Sequence, residues 1–259
     1  MIDSHCHLTY EPLLCQIDAI LARAAAAGVR GCVTVGTSID DIGRAIELAA
    51  TRGGGDVRIW PTAGVHPHEA GKVEAAWDGR LESLARRADI VAVGETGLDY
   101  HYDFAERGVQ RRVFQRELEI AVEANKPVII HCREAHADTL DVLRGFPSPQ
   151  RVVFHCFTGT PAEAGEILSR GHWISLTGVV TFKKSDALRE VARMIPAGRL
   201  MVETDSPYLS PEPLRSARPN EPAHVMHTAR CIAAVRGTTL EALDELTTAN
   251  AARFFGLTL

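Results

Sequence analysis

Three observations in the sequence predict an α/β fold, a (β/α)8 TIM barrel. Short apolar runs alternate with helical stretches along the whole 259-residue chain. Eight such runs can be counted, and the length is close to the ~250 residues typical of an eightfold barrel. Histidines and carboxylates recur where these runs end, as they do when all strand ends share one mouth. The rival is an open doubly wound sheet, which would feed a single crevice from a few strands at a switch point.

Candidate strands cover 1–4, 31–35, 57–63, 90–94, 127–130, 151–154, 173–176 and 200–203. Several are continuous apolar runs, as expected where both sheet faces are covered. Helical stretches lie at 11–27, 39–52, 77–88, 106–125, 135–144, 161–170 and 185–195, with a final pair near 222–236 and 239–255. Ser38 before Ile39, with Asp41 soon after, suits a helix N-terminus. Gly28 and Gly171 suit helix stops. Gly53-Gly54-Gly55 reads as a tight turn. No repeat, low-complexity segment or linker interrupts the pattern, so residues 1–259 read as a single domain.

The hydrophobic fraction of 46% can build a large core, and the net charge of -5 offers no basic footprint for nucleic acid. That weighs against duplex binding by charge alone, although bound metal ions would add positive charge. The six cysteines (6, 15, 32, 132, 156 and 231) contain no C-x-x-C pair and fit reduced thiols better than a disulfide scaffold. Cys6, Cys132 and Cys156 each follow a histidine, and strand alternation turns them toward the helix layer rather than into a sulfur-rich metal site. There is no basic and apolar leader, and no apolar run approaches ~18 residues. A soluble cytoplasmic protein is expected, with no membrane contact and no obligate protein partner.

His5-Cys6-His7 sets two imidazoles on one side of the first strand end and the thiol on the other. Further metal-type residues follow later strands: His66 and His68, Glu95 and Asp99, His131 and Arg133, His155, then Glu203 and Asp205. Taken singly, each has a bland reading. A buried histidine bonds backbone, Glu95 caps a helix or pairs an ion, and Asp205 caps the turn before Ser206-Pro207. Taken together they do not, because so many polar groups in one desolvated layer need compensation. Four imidazoles (His5, His7, His131, His155) and two carboxylates (Glu95, Asp205) exceed what one catalytic ion uses. They suit two divalent ions sharing a bridging carboxylate, and mixed nitrogen and oxygen donors fit Zn2+, Mn2+ or Mg2+ alike. Glu203 reads either as a partner of a ligand or as packing at its strand end.

Several blocks resemble the TatD family of metal-dependent hydrolases, within the amidohydrolase-like barrels. They are Asp-Ser-His-Cys-His-Leu at 3–8, Gly-Val-His-Pro-His at 64–68, Gly-Glu-Thr-Gly-Leu-Asp-Tyr at 94–100, Pro-Val-Ile-Ile-His at 127–131, His155 to Gly159, and Glu-Thr-Asp-Ser-Pro-Tyr-Leu at 203–209. Asn220-Glu221-Pro222 and Asn250-Ala251 also fit. The resemblance implies that His5, His7 and Asp205 hold one metal, that His131 and His155 hold the second, and that Glu95 bridges. It places His66 and Arg133 beside the substrate. No lysine stands among these ligands, in keeping with a bridging glutamate in place of a carbamylated lysine. One loop departs from the family pattern: Ser216 stands where glycine is usual, and Pro219 precedes Asn220.

The function implied is a metal-dependent deoxyribonuclease. Its catalytic residues would be Asp205 and Glu95, working 3′ to 5′ on DNA ends that are single-stranded or short. The alternative is another ester or amide, with D-aminoacyl-tRNA deacylation as one case, cut by the same binuclear site. A non-enzymatic binding module is a third reading, and the intact set of six ligands weighs against it.

Overall fold

The segment Ile2–Cys6 carries Asp3, Ser4 and His5 yet forms a strand, because it is buried at every residue and pairs in parallel with Gly31–Thr34. The same logic repeats around the molecule in this computed structural model, which describes residues 1–146 and 151–258. The strands are β1 (Ile2–Cys6), β2 (Gly31–Thr34), β3 (Arg58–Pro61), β4 (Val93–Asp99), β5 (Val128–Arg133), β6 (Val152–Phe154), β7 (Trp173–Leu176) and β8 (Leu200–Val202). The helices are α1 (Ile17–Ala26), α2 (Ile39–Arg52), α3 (Trp77–Ala85), α4 (Arg107–Ala124), α5 (His136–Arg144), α6 (Pro161–Ser169), α7 (Asp186–Met194), α8 (Val225–Arg236) and α9 (Leu240–Phe255).

All strand pairs are parallel and form two continuous ladders, β1-β2-β3 and β4 to β8. Single bridges, Ala63 to Val93 and Cys6 to Ser206, join the ladders at two seams. The ring is therefore closed, and the open-sheet rival fails. Helices cover the outside, where a large cluster including Leu13, Ile20, Phe114 and Phe154 forms the shell. Inside, Ile2, Val33, Ile129, Val153, Trp173 and Met201 pack with Phe254 and Phe255 of α9, which form a floor at one end. Burying a side chain such as Phe254 is worth roughly 1.5–3 kcal/mol.

Both seams are stitched by side chains. At β1/β8, Asp205 N donates to His5 O (3.0 Å) and His7 N to Ser206 O (2.8 Å). The Asp3 carboxyl accepts from Thr204 N (2.8 Å) and Thr204 Oγ1 (2.5 Å). At β3/β4, Gly94 N donates to Ala63 O (2.9 Å), and just beyond it Glu95 N reaches Gly36 O past the end of β2 (3.1 Å). There Glu117 of α4 accepts from Val65 N (2.7 Å) and from the Thr96 hydroxyl.

Several boundaries differ from expectation. β4 runs Val93–Asp99 rather than 90–94, and β5 runs Val128–Arg133 rather than 127–130, so Glu95 and His131 lie within strands instead of beyond them. The extension arises because Gly97 pairs with His131 and Asp99 with Arg133. It requires glycine at Gly94 (φ 142°) and Gly97 (φ 134°), where a Cβ would lie 2.8 Å from Ile129 and 2.0 Å from His131 O. β1 likewise continues through Cys6. β3 stops at Pro61, because residues 62–63 turn into the seam. The stretches 11–27 and 222–236 each open with a 3-10 turn, Leu14–Gln16 and Pro222–His224, before the α-helix begins. Helix α3 ends at Ala85, short of 88. Ser38 caps α2 through Asp41 N (3.3 Å), and Gly28 and Gly171 take φ of 90° and 80° beyond their helices.

Candidate metal centre

Alternation along β1 turns His5 and His7 toward the barrel mouth, while the Cys6 thiol donates to Val33 O (3.4 Å) and packs in the outer shell. Cys132 also packs against that shell. Cys156 lies past the end of β6 in a left-handed conformation (φ 44°), so strand alternation does not govern it; its thiol sits 3.8 Å from Thr177 Oγ1.

Four of the other five expected ligands, His5, His7, His131 and His155, converge on Glu95, which is 2% exposed. Its Oε1 lies 2.7 Å from His155 Nε2, 3.0 Å from His131 Nδ1 and 3.4 Å from His66 Nε2. Its Oε2 lies 3.3 Å from His5 Nε2 and 3.8 Å from His7 Nε2. Asp205 Oδ1 is 3.4 Å from His7 Nε2 and 3.7 Å from His5 Nε2. The ligand atoms thus form two groups with metal-site spacing, His5–His7–Asp205 and Glu95–His131–His155. Asp205 reaches its place through a left-handed backbone (φ 54°), a conformation that costs a non-glycine residue of order 1 kcal/mol or more.

The donor set passes a simple test for divalent cations. Both ring nitrogens of His5 and of His155, His7 Nδ1 and Glu95 Oε2 are buried without a hydrogen-bond partner. Each such atom costs about 1–3 kcal/mol if nothing else satisfies it. His155 Nε2 and Glu95 Oε1 stand 2.7 Å apart yet are not aligned to share a hydrogen. Two lone pairs aimed at a common third point have that arrangement. The residues therefore fit divalent cations.

Electrostatics agree. Burial pushes the Glu95 carboxyl up, but His155, His66 and His5 around it hold it well below the usual range. Burial also opposes charging His155, yet Glu95 and Glu203 raise its imidazole well above normal. His5 is pushed down by burial and by His155, whose ring stacks on it at 3.8 Å. Burial lowers His66 to about 4, so it is neutral at pH 7. Protons that the cluster holds by itself are those a divalent cation would displace.

Supporting groups orient the inner set. Glu203 Oε1 accepts from Cys156 N (2.6 Å) and lies at ion-pair distance, 3.3 Å, from His155 Nδ1 without an aligned hydrogen bond, so it is a charge beside that ring and not only packing. Asp99 stands at a strand end in the sequence, but nothing there gives it a role in the site. Its Oδ2 is 2.9 Å from His131 Nε2 and 2.9 Å from His68 Nε2, while Oδ1 receives the backbone N–H groups of His101 and Tyr102. Burial resists ionising Asp99, but the His131 and His68 bonds hold its carboxyl below the usual range. His68, which had no case in sequence, stands edge-on to His66 at 4.3 Å. Glu117 was missed from sequence, though it occupies a buried-stripe position with Val113, Leu118 and Ala121 where an apolar residue is expected.

A cavity of about 460 Å3 opens above these residues, with His66, Arg133, Tyr102, Phe104 and Tyr208 on its walls. Arg133 is exposed, its guanidinium carbon 4.7 Å from the Tyr102 ring centroid. The divergent loop does not line this cavity among the described residues. Its Arg215 lies over Phe182 (3.4 Å), and Asn220 is buried, donating to Thr204 O (3.0 Å) and Tyr208 O (2.5 Å). Pro219 therefore does not prevent Asn220 from bracing the exit of β8.

Residues 2–256 match the family model described as TatD related DNase. A curated relative, the uncharacterized metal-dependent hydrolase YcfH of Escherichia coli (strain K12), is 40% identical over 263 residues, covering 98% of this chain and 95% of that one. The 3'-5' ssDNA/RNA exonuclease TatD of Citrobacter koseri is 38% identical, covering 99% of each chain. Among solved structures, the TatD homolog YJJV of Escherichia coli K12 superposes with a TM-score of 0.93 at 26% identity, covering 100% of this chain and 98% of that one.

Proposed function

The chain belongs to the TatD-related DNase family, and from that membership we propose a metal-dependent hydrolase that removes nucleotides from the 3′ end of single-stranded or short DNA in the cytoplasm. The observation that carries this reading is the division of Glu95, one oxygen facing His131 and His155 and the other facing His5 and His7. In the proposed assignment His5, His7 and Asp205 hold one divalent ion, His131 and His155 a second, and Glu95 bridges them. Zn2+, Mn2+ and Mg2+ all match the donors. Such ions supply Lewis acidity and make a water easier to deprotonate.

The chain's own residues do the rest. Asp205, held at the rim by its backbone bond to His5 O, orients the attacking water, accepts its proton and returns it to the leaving oxygen. His66, neutral at pH 7, accepts from His68 N at Nδ1 (3.1 Å) and so carries its N–H on Nε2, beside Glu95 Oε1 (3.4 Å), where it meets a phosphate oxygen bound over the carboxylate. Arg133 adds a permanent positive charge on the cavity wall, where charge develops on the scissile group. A net charge of -5 favours strand ends over long duplex.

The test is to load the protein with Mg2+, Mn2+ or Zn2+ and incubate it with 5′-end-labelled single-stranded DNA. Stepwise shortening from the 3′ end is expected. Asp205→Asn should slow it by roughly 10^2–10^4-fold with little change in melting temperature. No shortening at any pH with any of the three metals rejects the proposal.

A further inference from the structure

The loop leaving β4 holds two large aromatic rings in water at the lip of the cavity. Tyr102 is 48% exposed and Phe104 65% exposed. Their rings are parallel to within 8°, with centroids 5.5 Å apart. Both line the same cavity as Glu95 and Asp205. They are not loosely placed. Tyr102 N donates to Asp99 Oδ1 (3.0 Å), and that carboxylate also holds His131. His68 stands edge-on to Tyr102 at 5.4 Å and to Phe104 at 4.8 Å. Arg133 lies against Tyr102 and is the one Lys or Arg among the described residues that line this cavity.

We propose that Tyr102 and Phe104 form a stacking ledge for a nucleobase of a single-stranded nucleic acid whose neighbouring phosphate sits beside Arg133. The proposal rests on the phosphodiesterase reading above and adds to it the means of gripping the strand. Away from the reacting phosphate at the metal centre, a chain of net charge -5 with one side-chain cation on this wall gains little affinity from pairing with phosphates. Stacking on an aromatic face does not depend on charge, and every base has such a face. The ledge should therefore grip all four bases, in DNA and RNA alike. Its link through Asp99 to His131 fixes the gripped base relative to the reacting phosphate.

The test pairs a protein change with a substrate change. Tyr102→Ala/Phe104→Ala is compared with the unaltered protein on a single-stranded oligonucleotide and on the same strand with tetrahydrofuran abasic residues at its 3′ end. KM for the intact strand should rise between about 5-fold and about 100-fold in the double variant. The rise for the abasic strand should be smaller by most of that factor, since there is no base left to stack. Tyr102→Trp/Phe104→Trp should restore the affinity for the intact strand, which separates stacking from damage to the fold. Binding of a 5′-fluorescein-labelled strand in EDTA, followed by anisotropy, reads the ledge without any turnover. Equal losses for intact and abasic strands, or binding that the Ala variant leaves unaltered, overturn the ledge. If the strand binds through the ledge but is never cut, the ledge stands and the nuclease reading falls; absence of both overturns both.

Discussion

At the β1/β8 seam the Asp3 carboxyl ties two adjacent strands together through Thr204; at the β3/β4 seam Glu117 performs the same stitch from helix α4, outside the ring. Both acids are fully buried and accept a threonine hydroxyl; Glu117 also accepts one backbone N–H and Asp3 two, from Thr204 and His5, and burial raises the carboxyl in each case. They differ in what lies beside them. Asp3 braces the segments that carry His5 and Asp205. Glu117 braces the turn that carries His66 and the strand that carries Glu95. Glu95 starts just beyond the second seam, through Glu95 N to Gly36 O, and reaches the histidines at the first. The candidate ligands thus come from both ladders. Bound cations would clamp the two seams to each other.

The severest way to break this arrangement is Glu95→Ala, which removes the one side chain common to both seams. The rate should fall by roughly 10^3-fold or more, the scale seen when one member of a cooperating set is removed. Metal content by elemental analysis should fall with it; normal turnover would show that Glu95 does not bridge. Next come the groups behind the histidines. Asp99→Asn and Glu203→Gln should each weaken metal affinity by about 10–100-fold, measured by competition with a chelator. Each serves a histidine of the same ladder, so the two losses should be similar.

The two stitches themselves can be set against one another. Asp3→Ala and Glu117→Ala each orphan a buried N–H and should each cost about 1–3 kcal/mol in denaturant unfolding. Asp3→Ala should also weaken metal binding, because His5 and Asp205 flank it. Glu117→Ala should chiefly raise KM through His66. The reverse pattern would mean that the seams are not separately loaded. The last effect is on pH dependence. Burial raises Asp3 to about 8 in the folded protein, against about 3.9 in an unfolded chain. Its contribution to stability is complete below pH ~4 and drains away as pH rises toward ~8, because only the unfolded chain ionises freely in that window. Asp3→Asn should flatten that decline, by at most about 1.4 kcal/mol per pH unit in melts taken between pH 5 and 8.

Much of this was readable in advance. Apolar runs that end in histidine or acid mark strands that empty into a shared mouth, and His5, His7, His155 and Asp205 stand where that pattern implies. The run Gly94-Glu95-Thr96-Gly97 looks like a loop, because glycines and polar residues have poor strand propensity. It becomes strand only because β5 lies alongside and no Cβ blocks the approach. Asp99 and Glu117 act across gaps in sequence of 32 and 52 residues, to His131 and Val65, and no local pattern encodes such pairings. The buried stripe of α4 did contain a signal, in that Gln110 and Glu117 occupy core positions, and a polar residue there asks for a distant partner.

Phe254 and Phe255 close the far end of the barrel. Packed side chains fill the barrel above them, so in the proposed reaction the incoming strand end and the departing mononucleotide share the mouth. The released nucleotide then competes with the next terminus for the opening, and inhibition by product should follow as accumulated monophosphate crowds the entrance.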